Sequence, residues 1–397
     1  MYFGRSSISI AGPAMMAERG WSATQFGLVS TAFFIGYALT MLPAGWLADR
    51  FGASKVIVVG TLLWSVFTFF SPYGLAIGSF MMLRILVGIG QGVTLPSASS
   101  LVSKWVPKHE AGRAQGMTLV GVPLGVALTM FIGTKLIQYF SWQMIFYSFA
   151  FLGPIWVLLW LKWGKDRPEL LSTISQEEID YIQEKDSTDS NGNGAVALPS
   201  NQVYGNKNVW GATIAYFCYN YVFYLLLSWL PTYLAMGRGF TLVKSGYMTA
   251  IPWMVAIFTY PIGGVLADAA AKKYGQNIGR KLFPIIGLVV GGVALFVGAN
   301  APSAGVAIAL ISMSMGFLTV TQGGFFSIPM ILAPKNAGMI VGLYGFIGTM
   351  AGISAPVVTG MIVDSYGYTY ALISGAGMAV LGAVVLLVFC KVKPIAE

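Results

Sequence analysis

Two arginines stand where an arginine is costly. Arg5 lies in "YFGRSSISIAGPAM" and Arg84 in "SFMMLRILVGIGQG", each within a run otherwise suited to hydrocarbon. A guanidinium at the bilayer centre costs about 2.5–3.5 kcal/mol on insertion scales, and a second in a neighbouring helix adds repulsion. Taking about 12 residues from Arg5 and about 9 from Arg84 to the nearer helix ends, at 1.5 Å per residue, both lie roughly 13–18 Å deep. Snorkelling does not easily reach an interface from there. The 14 acids fall in loops, in the central polar stretch, in the tail or at the ends of apolar runs, Asp49, Asp268 and Asp364 among the last. With no internal carboxylate to pair them, the natural partner is an anion from outside. A guanidinium fork matches a carboxylate bidentately, which a lysine does not. The competing structural account has both arginines bonding backbone carbonyls at broken helix turns.

The other chemistry-bearing side chains are neutral. Tyr216, Tyr219, Asn220 and Tyr224 share one stretch of a later span, and Thr319, Thr321, Gln322 and Ser327 share another. Each set suits hydrogen bonds to a polar substrate, and equally interfacial anchoring or contacts between helices. His109, the only histidine, falls in a loop and reads as solvated rather than as a proton relay. Cys218 and Cys390 both lie in apolar runs and read as small buried hydrophobes. The sequence has no metal-ligand cluster, no Ser/His/acid constellation and no phosphate loop, so neither an enzyme nor a bound cofactor is expected.

Membrane helices have to position these groups. Of 397 residues, 56% are hydrophobic and 9% charged, with a mean hydropathy of +0.73, too few charges to cover a soluble surface. Apolar runs of about 20 residues are predicted at 25–48, 56–73, 76–100, 114–137, 142–162, 209–234, 245–268, 282–299, 303–330, 338–363 and 369–390, after a remnant at 1–17. The formal charge of +9 reports orientation rather than a nucleic-acid partner. With the loop after the second span in the cytoplasm, only Arg19, Lys135, Arg238 and Lys244 fall outside, against seventeen Lys and Arg inside; Arg5 and Arg84, within spans, complete the 23. The amino terminus, the central linker and the carboxy terminus are then all cytoplasmic.

The polar stretch 164–208 separates an amino-terminal group of spans, 1–163, from a carboxy-terminal group, 209–397. Its "STISQEEIDYIQEK" carries a Ser175/Glu178 capping box and predicts a short surface helix, whereas "DSTDSNGNGAVALPSN" reads as a flexible linker. The two groups echo each other: "PAGWLADRFG" and "PIGGVLADAAAKKYG" each follow the second span of their group, with Asp49 matched to Asp268.

This duplication resembles the major facilitator superfamily over the entire chain. Gly45, Asp49, Arg50, Gly52 and Lys55 fit that superfamily's loop signature G-x-x-x-D-R-x-G-x-x-K. The resemblance implies an all-α membrane protein with the major facilitator fold: two six-helix halves and 12 transmembrane helices that rock about a central cavity. It also implies a latch at the cytoplasmic helix ends that holds one of the alternating-access states and touches no substrate, with Gly45 allowing close helix approach and Asp49 and Arg50 forming a charge-assisted contact, echoed by Asp268. The bland account is that Asp49, Arg50 and Lys55 only end a helix and obey the positive-inside rule.

A closer resemblance, carried by "SWLPTYLAMGRGFTLVKSGYMTAIPW", "RILVGIGQGVTLPSASSLVSKWVPKHEAGRAQG" and the opening "YFGRSSISIAGPAM", is to the anion:cation symporter family, which carries hexuronates, aldonates and other organic anions. Its first-span Tyr-x-Asp-Arg reads here Tyr2, Phe3, Gly4, Arg5, and its fourth-span Arg with Glu seven residues on reads Arg84 with Gln91. The resemblance places Tyr2 and Tyr37 at positions that commonly face substrate. It also implies that "YFGR" is mid-helix, so the first span is truncated as written and roughly 10–20 residues are expected upstream to complete it.

The expectation is a secondary transporter moving a small organic anion, a carboxylate, across the inner (plasma) membrane. Arg5 and Arg84 bind the anion, with Tyr2, Tyr37, Gln91, Asn220 and Gln322 as secondary contacts. A coupling cation is a further expected partner, and a monomer is the expected state. Two alternatives are a transport-inactive anion sensor and a truncated, non-functional transporter.

Overall fold

A computed structural model describes residues 1–41, 43–107, 110–171, 173–184 and 198–395. His109 and most of the Gly/Ser/Asn-rich linker stretch lie outside the described residues. Because hydrocarbon offers no partner for backbone amides, each spanning segment closes its hydrogen bonds within itself. Among the described residues every regular element is helical.

The amino-terminal half comprises α1 (Tyr2–Arg19), α2 (Ala23–Met41), the short α3 (Ala44–Phe51), α4 (Ala53–Phe70), α5 (Ile77–Gly92), α6 (Thr94–Trp105), α7 (Ala111–Tyr139) and α8 (Gln143–Trp163). Two linker helices follow, α9 (Gln176–Glu184) and α10 (Ser200–Gly205). The carboxy-terminal half comprises α11 (Lys207–Thr232), α12 (Leu242–Ala299), α13 (Ala304–Leu332), α14 (Ala337–Tyr366) and α15 (Tyr368–Phe389). Ten of these stretches are long and apolar enough to cross a membrane, counting α12 once and joining α5 to α6. The 58-residue α12 breaks at Gly275, whose φ of 78° leaves helical space, so it supplies two spans. With α1, which packs on α7 and α11, the described residues supply twelve, six in each half.

Several predicted boundaries move for identifiable reasons. The run 25–48 is two helices, because Pro43 precedes α3 and offers no amide to continue α2. The run 76–100 breaks at Val93, where the ring of Pro96 conflicts with the carbonyl four residues earlier, that of Gly92. Conversely, the runs 245–268 and 282–299 join through helical turns on either side of Gly275. In the linker, the Glu178 amide donates to Ser175 Oγ at 3.2 Å, capping α9.

The halves meet along three seams, α1 with α11, α2 with α14, and α7 with α12. At the face opposite the linker, the Asp364 carboxylate at the end of α14 accepts the first amides of α2, Ala23 at 3.0 Å and Thr24 at 2.8 Å. An anion at a helix N-terminus is favourable. Deeper in, Thr31 donates to the Ile353 carbonyl at 2.7 Å, Ser9 donates to the Leu227 carbonyl, and Phe26 meets Trp229 edge-on at 5.2 Å. A Cβ on Gly27 would come within 2.9 Å of Val357 Cα, so these backbones touch. The opposite face is therefore closed by direct contact between the halves.

Candidate functional site

Arg5 and Arg84 come together at the heart of the amino-terminal half, 4% and 1% exposed. The α1 helix presents Arg5, α5 presents Arg84, and α2 lies against both with Phe33, Phe34 and Tyr37. Glycine sets the spacing: a Cβ on Gly88 would come within 2.8 Å of the Tyr37 amide nitrogen, so α5 is pressed onto α2 one turn from Arg84.

The Arg5 guanidinium carbon lies 4.6 Å from the Tyr37 ring centroid, 4.9 Å from those of Tyr2 and Phe33, and 5.6 Å from that of Phe34. Aromatic faces thus surround it, each a modest electrostatic partner for a cation. Its Nη1 donates to the Tyr2 hydroxyl at 3.2 Å, while Nε and Nη2 have no partner. These are the two parallel donors on one edge of the guanidinium, the pair that grips both oxygens of a carboxylate. Arg84 lies 5.1 Å from the Phe33 centroid; its Nη1 reaches the Gly4 carbonyl at a marginal 3.5 Å, and its Nε is unpartnered. Of the two accounts of these arginines, backbone bonding accounts for one long contact of Arg84 and none of Arg5. No carboxylate of the described residues pairs with either.

Gln91 is fully buried, its Nε2 donating to the Met1 carbonyl at 3.2 Å and its Oε1 unpartnered. A Cβ on Gly4 would stand 3.0 Å from Gln91 Nε2, so these two positions face each other across α1 and α5.

The carboxy-terminal half supplies neutral groups. Tyr216 stacks on Tyr344 at 4.9 Å and Tyr219 at 5.8 Å, and Gln322 lies beside the hydroxyls of Tyr216 and Tyr219. The Gln322 Oε1 and the hydroxyls of Tyr219 and Tyr344 are buried without partners. Asn220 is less free, because its Nδ2 donates to the Tyr216 carbonyl at 2.8 Å and packs towards Gly348. The sets meet where Tyr224 of α11 contacts Phe34 at 4.6 Å. Thr319 and Thr321 instead donate to carbonyls of their own helix.

An enclosed cavity of ≈ 10 Å³ lies among Arg5, Arg84, Ser9, Ser30, Phe33 and Ser228, room for about one water. Ser30 adds an unpartnered buried hydroxyl to it. Sequence reasoning missed Ser30, Phe33 and Phe34. The available signal was the aromatic repeat 33, 34, 37, one helical face opposite a charge. A larger cavity of ≈ 320 Å³ opens around Arg238 on the face opposite the linker. That arginine is saturated, donating to the carbonyls of Gly298, Ala299 and Ala301 and to the Tyr233 hydroxyl, so it caps the end of α12.

With the face opposite the linker closed, the loop signature does not make the latch contacts, which the resemblance implies for one of the alternating-access states. Asp49 makes no hydrogen bond or ion pair among the described residues, and Arg50 lies over the rings of Trp46 and Phe51. Gly45 is exposed with open space about it, so it mediates no close helix approach. Lys55 is exposed. Gly52 has the specific role: with φ at +90°, it leaves room for Asp166, whose carboxylate accepts the Ser54 amide at 2.8 Å and caps α4. In the other half, Asp268 pairs with Arg280 across the Gly275 break.

Comparison with known proteins agrees with this architecture. The family model for the Major Facilitator Superfamily matches residues 1–356. The chain is 32% identical over 355 residues to the chloroplastic ascorbate transporter of Arabidopsis thaliana, covering 88% of this chain and 64% of that protein, just under two thirds of its length. It is 32% identical over 345 residues to the probable sulfoacetate transporter SauU of Cupriavidus necator, covering 86% and 79%. The crystal structure of the D-xylose-proton symporter superposes with a TM-score of 0.77 at 16% identity over 98% of this chain and 95% of that one, a likeness of fold alone. By its sequence match and its two six-helix halves, the chain belongs to the major facilitator superfamily.

Proposed function

We propose that this protein is a secondary transporter that moves a small organic anion across the inner membrane by alternating access. The observation that carries the proposal is the pair Arg5 and Arg84, buried without a carboxylate and with one edge of the Arg5 fork unpartnered. An anionic headgroup supplies what those donors lack. The wall of Tyr216, Tyr219 and Gln322, with Asn220 beside it, meets the rest of the molecule through neutral hydrogen bonds. Relatives named for ascorbate and sulfoacetate transport support an anion with a polar body.

With the opposite face closed and ≈ 10 Å³ at the arginines, an organic anion enters only when the halves separate. Rocking about the α2–α14 and α7–α12 seams exposes the site alternately. The linker and both termini lie in the cytoplasm, as the lysine and arginine bias requires. Both walls come from one chain, so a monomer suffices.

The test is counterflow in proteoliposomes with labelled ascorbate, sulfoacetate and a panel of aldonates and simple carboxylates. Saturable exchange of at least one anion, absent for neutral sugars, is expected; exchange of none of them would overturn the proposal.

A further inference from the structure

Arg5 and Arg84 share one ring. Their guanidinium carbons lie 4.9 Å and 5.1 Å from the centroid of Phe33, which is 1% exposed. Two like charges buried this close repel, and no carboxylate of the described residues offsets them. The negative face of an aromatic quadrupole attracts a cation, and more strongly where water is excluded. Phe33 is also the most buried of the surrounding aromatics, at 1% exposed against 3% for Phe34 and 4% for Tyr37. A Cβ on Gly88 would come within 3.1 Å of its carbonyl carbon, and its side chain meets Phe34 edge-on at 5.2 Å and Tyr37 at 5.9 Å. Gly88 thus sets the Phe33 backbone tight against α5, the helix that carries Arg84.

We infer that Phe33 is the resident counter-group of the site: its ring offsets both guanidiniums while no anion is bound and yields that role when an anion docks on their edges. The ring lies within cation–π distance of both guanidinium carbons, while their edge donors, Arg5 Nε and Nη2 and Arg84 Nε, stay unpartnered. Ring and anion therefore act on different parts of the same cations. Once an anion neutralises them, the ring's attraction weakens. Phe33 is a positioning residue in this scheme.

The experiment replaces Phe33 by mono-, di- and trifluorophenylalanine, which drains the quadrupole stepwise at nearly constant shape. Thermal unfolding of the purified protein is then followed with and without saturating ascorbate or sulfoacetate. Without anion, the melting temperature is expected to fall in steps, by about 2–4 °C for the trifluoro ring. With anion, most of the fall is recovered. The same series at Phe26, which packs on Trp229 and touches no cation, serves as the control for shape and is expected to show no anion-reversible trend. A flat series at Phe33, or one matching Phe26, would overturn the counter-group role; a stepwise fall untouched by an anion that binds the parent would overturn the hand-over. The anion arm rests on the proposed transport function, the anion-free arm does not. If neither probe binds the parent, the anion arm uses whichever anion of the counterflow panel does; if none does, the transport reading fails, and the anion-free series still decides the role of the ring.

Discussion

The amino-terminal wall of the central site carries Arg5 and Arg84 within a shell of Tyr2, Phe33, Phe34 and Tyr37, while the carboxy-terminal wall carries Tyr216, Tyr219, Asn220 and Gln322 and, among its described residues, no charge. The walls descend from one repeated plan. The fourth membrane helix of each half holds a Gln-Gly pair, Gln91-Gly92 and Gln322-Gly323, yet seven residues earlier stands Arg84 in one half and Met315 in the other. The two halves share a scaffold pattern and differ in chemistry. In the proposed function one wall takes up charge, which is strong and desolvation-sensitive, and the other neutral atoms, which is weaker and more selective. A ligand that satisfies both bridges the seam on which the halves rock.

The sharpest way to break this asymmetry is on the charged wall. Arg84→Lys keeps the charge and removes the planar fork. Truncating a desolvated charged partner costs about 2–5 kcal/mol, and because lysine restores the charge without the fork, the expected loss lies at the lower end, roughly thirtyfold. Calorimetric titration of the purified variant with whichever anion the parent exchanges measures it. Arg5→Lys is expected to lose as much or more, since Arg5 holds the unpartnered edge. Parent-like affinity in both variants would place the anion elsewhere.

On the neutral wall the expected effect is smaller. Gln322→Leu keeps the volume and deletes one amide whose Oε1 is unpartnered in the closed site. A neutral hydrogen bond contributes about 1 kcal/mol net, so affinity is expected to fall about fivefold, and less for an anion without hydroxyls. Loss as severe as that of Arg84→Lys would mean that the two walls share the charged headgroup.

The sequence made the charged wall legible and hid its surroundings, for a physical reason. An arginine in hydrocarbon is rare enough to stand out by its cost alone, so Arg5 and Arg84 could be named without coordinates. Phe33 and Phe34 could not, because aromatic residues are ordinary in membrane helices and only contact shows which of them face a cation. The spans were legible from hydropathy, but the breaks at Pro43 and Val93 lie inside uninterrupted apolar runs. The surroundings of the loop signature were hidden too: Asp166, which docks against Gly52, lies 114 residues further along the chain, and no local pattern connects the two.

The smallest expected effect is none, and it concerns energy coupling. Where the family patterns place an Asp before the first-span arginine and a Glu seven residues after the fourth-span one, this chain has Gly4 and Gln91, which face each other beside the arginines. A carboxylate there would be a proton switch, since its charge and the substrate's compete for the same cation. An amide only donates and accepts hydrogen bonds. A strong-acid anion such as sulfoacetate stays ionised and cannot bring a proton with it, so an imposed proton gradient alone is expected to drive no accumulation. Counterflow is expected to be flat between about pH 5.5 and 8, with transport running as exchange, as uniport or with another cation. Gln91→Glu is the sharpening experiment. It restores a titratable group 0% exposed to solvent at a position already in contact with α1, and counterflow in that variant is expected to become pH-dependent. Gradient-driven accumulation by the parent would mean that a proton relay runs through groups other than these two positions.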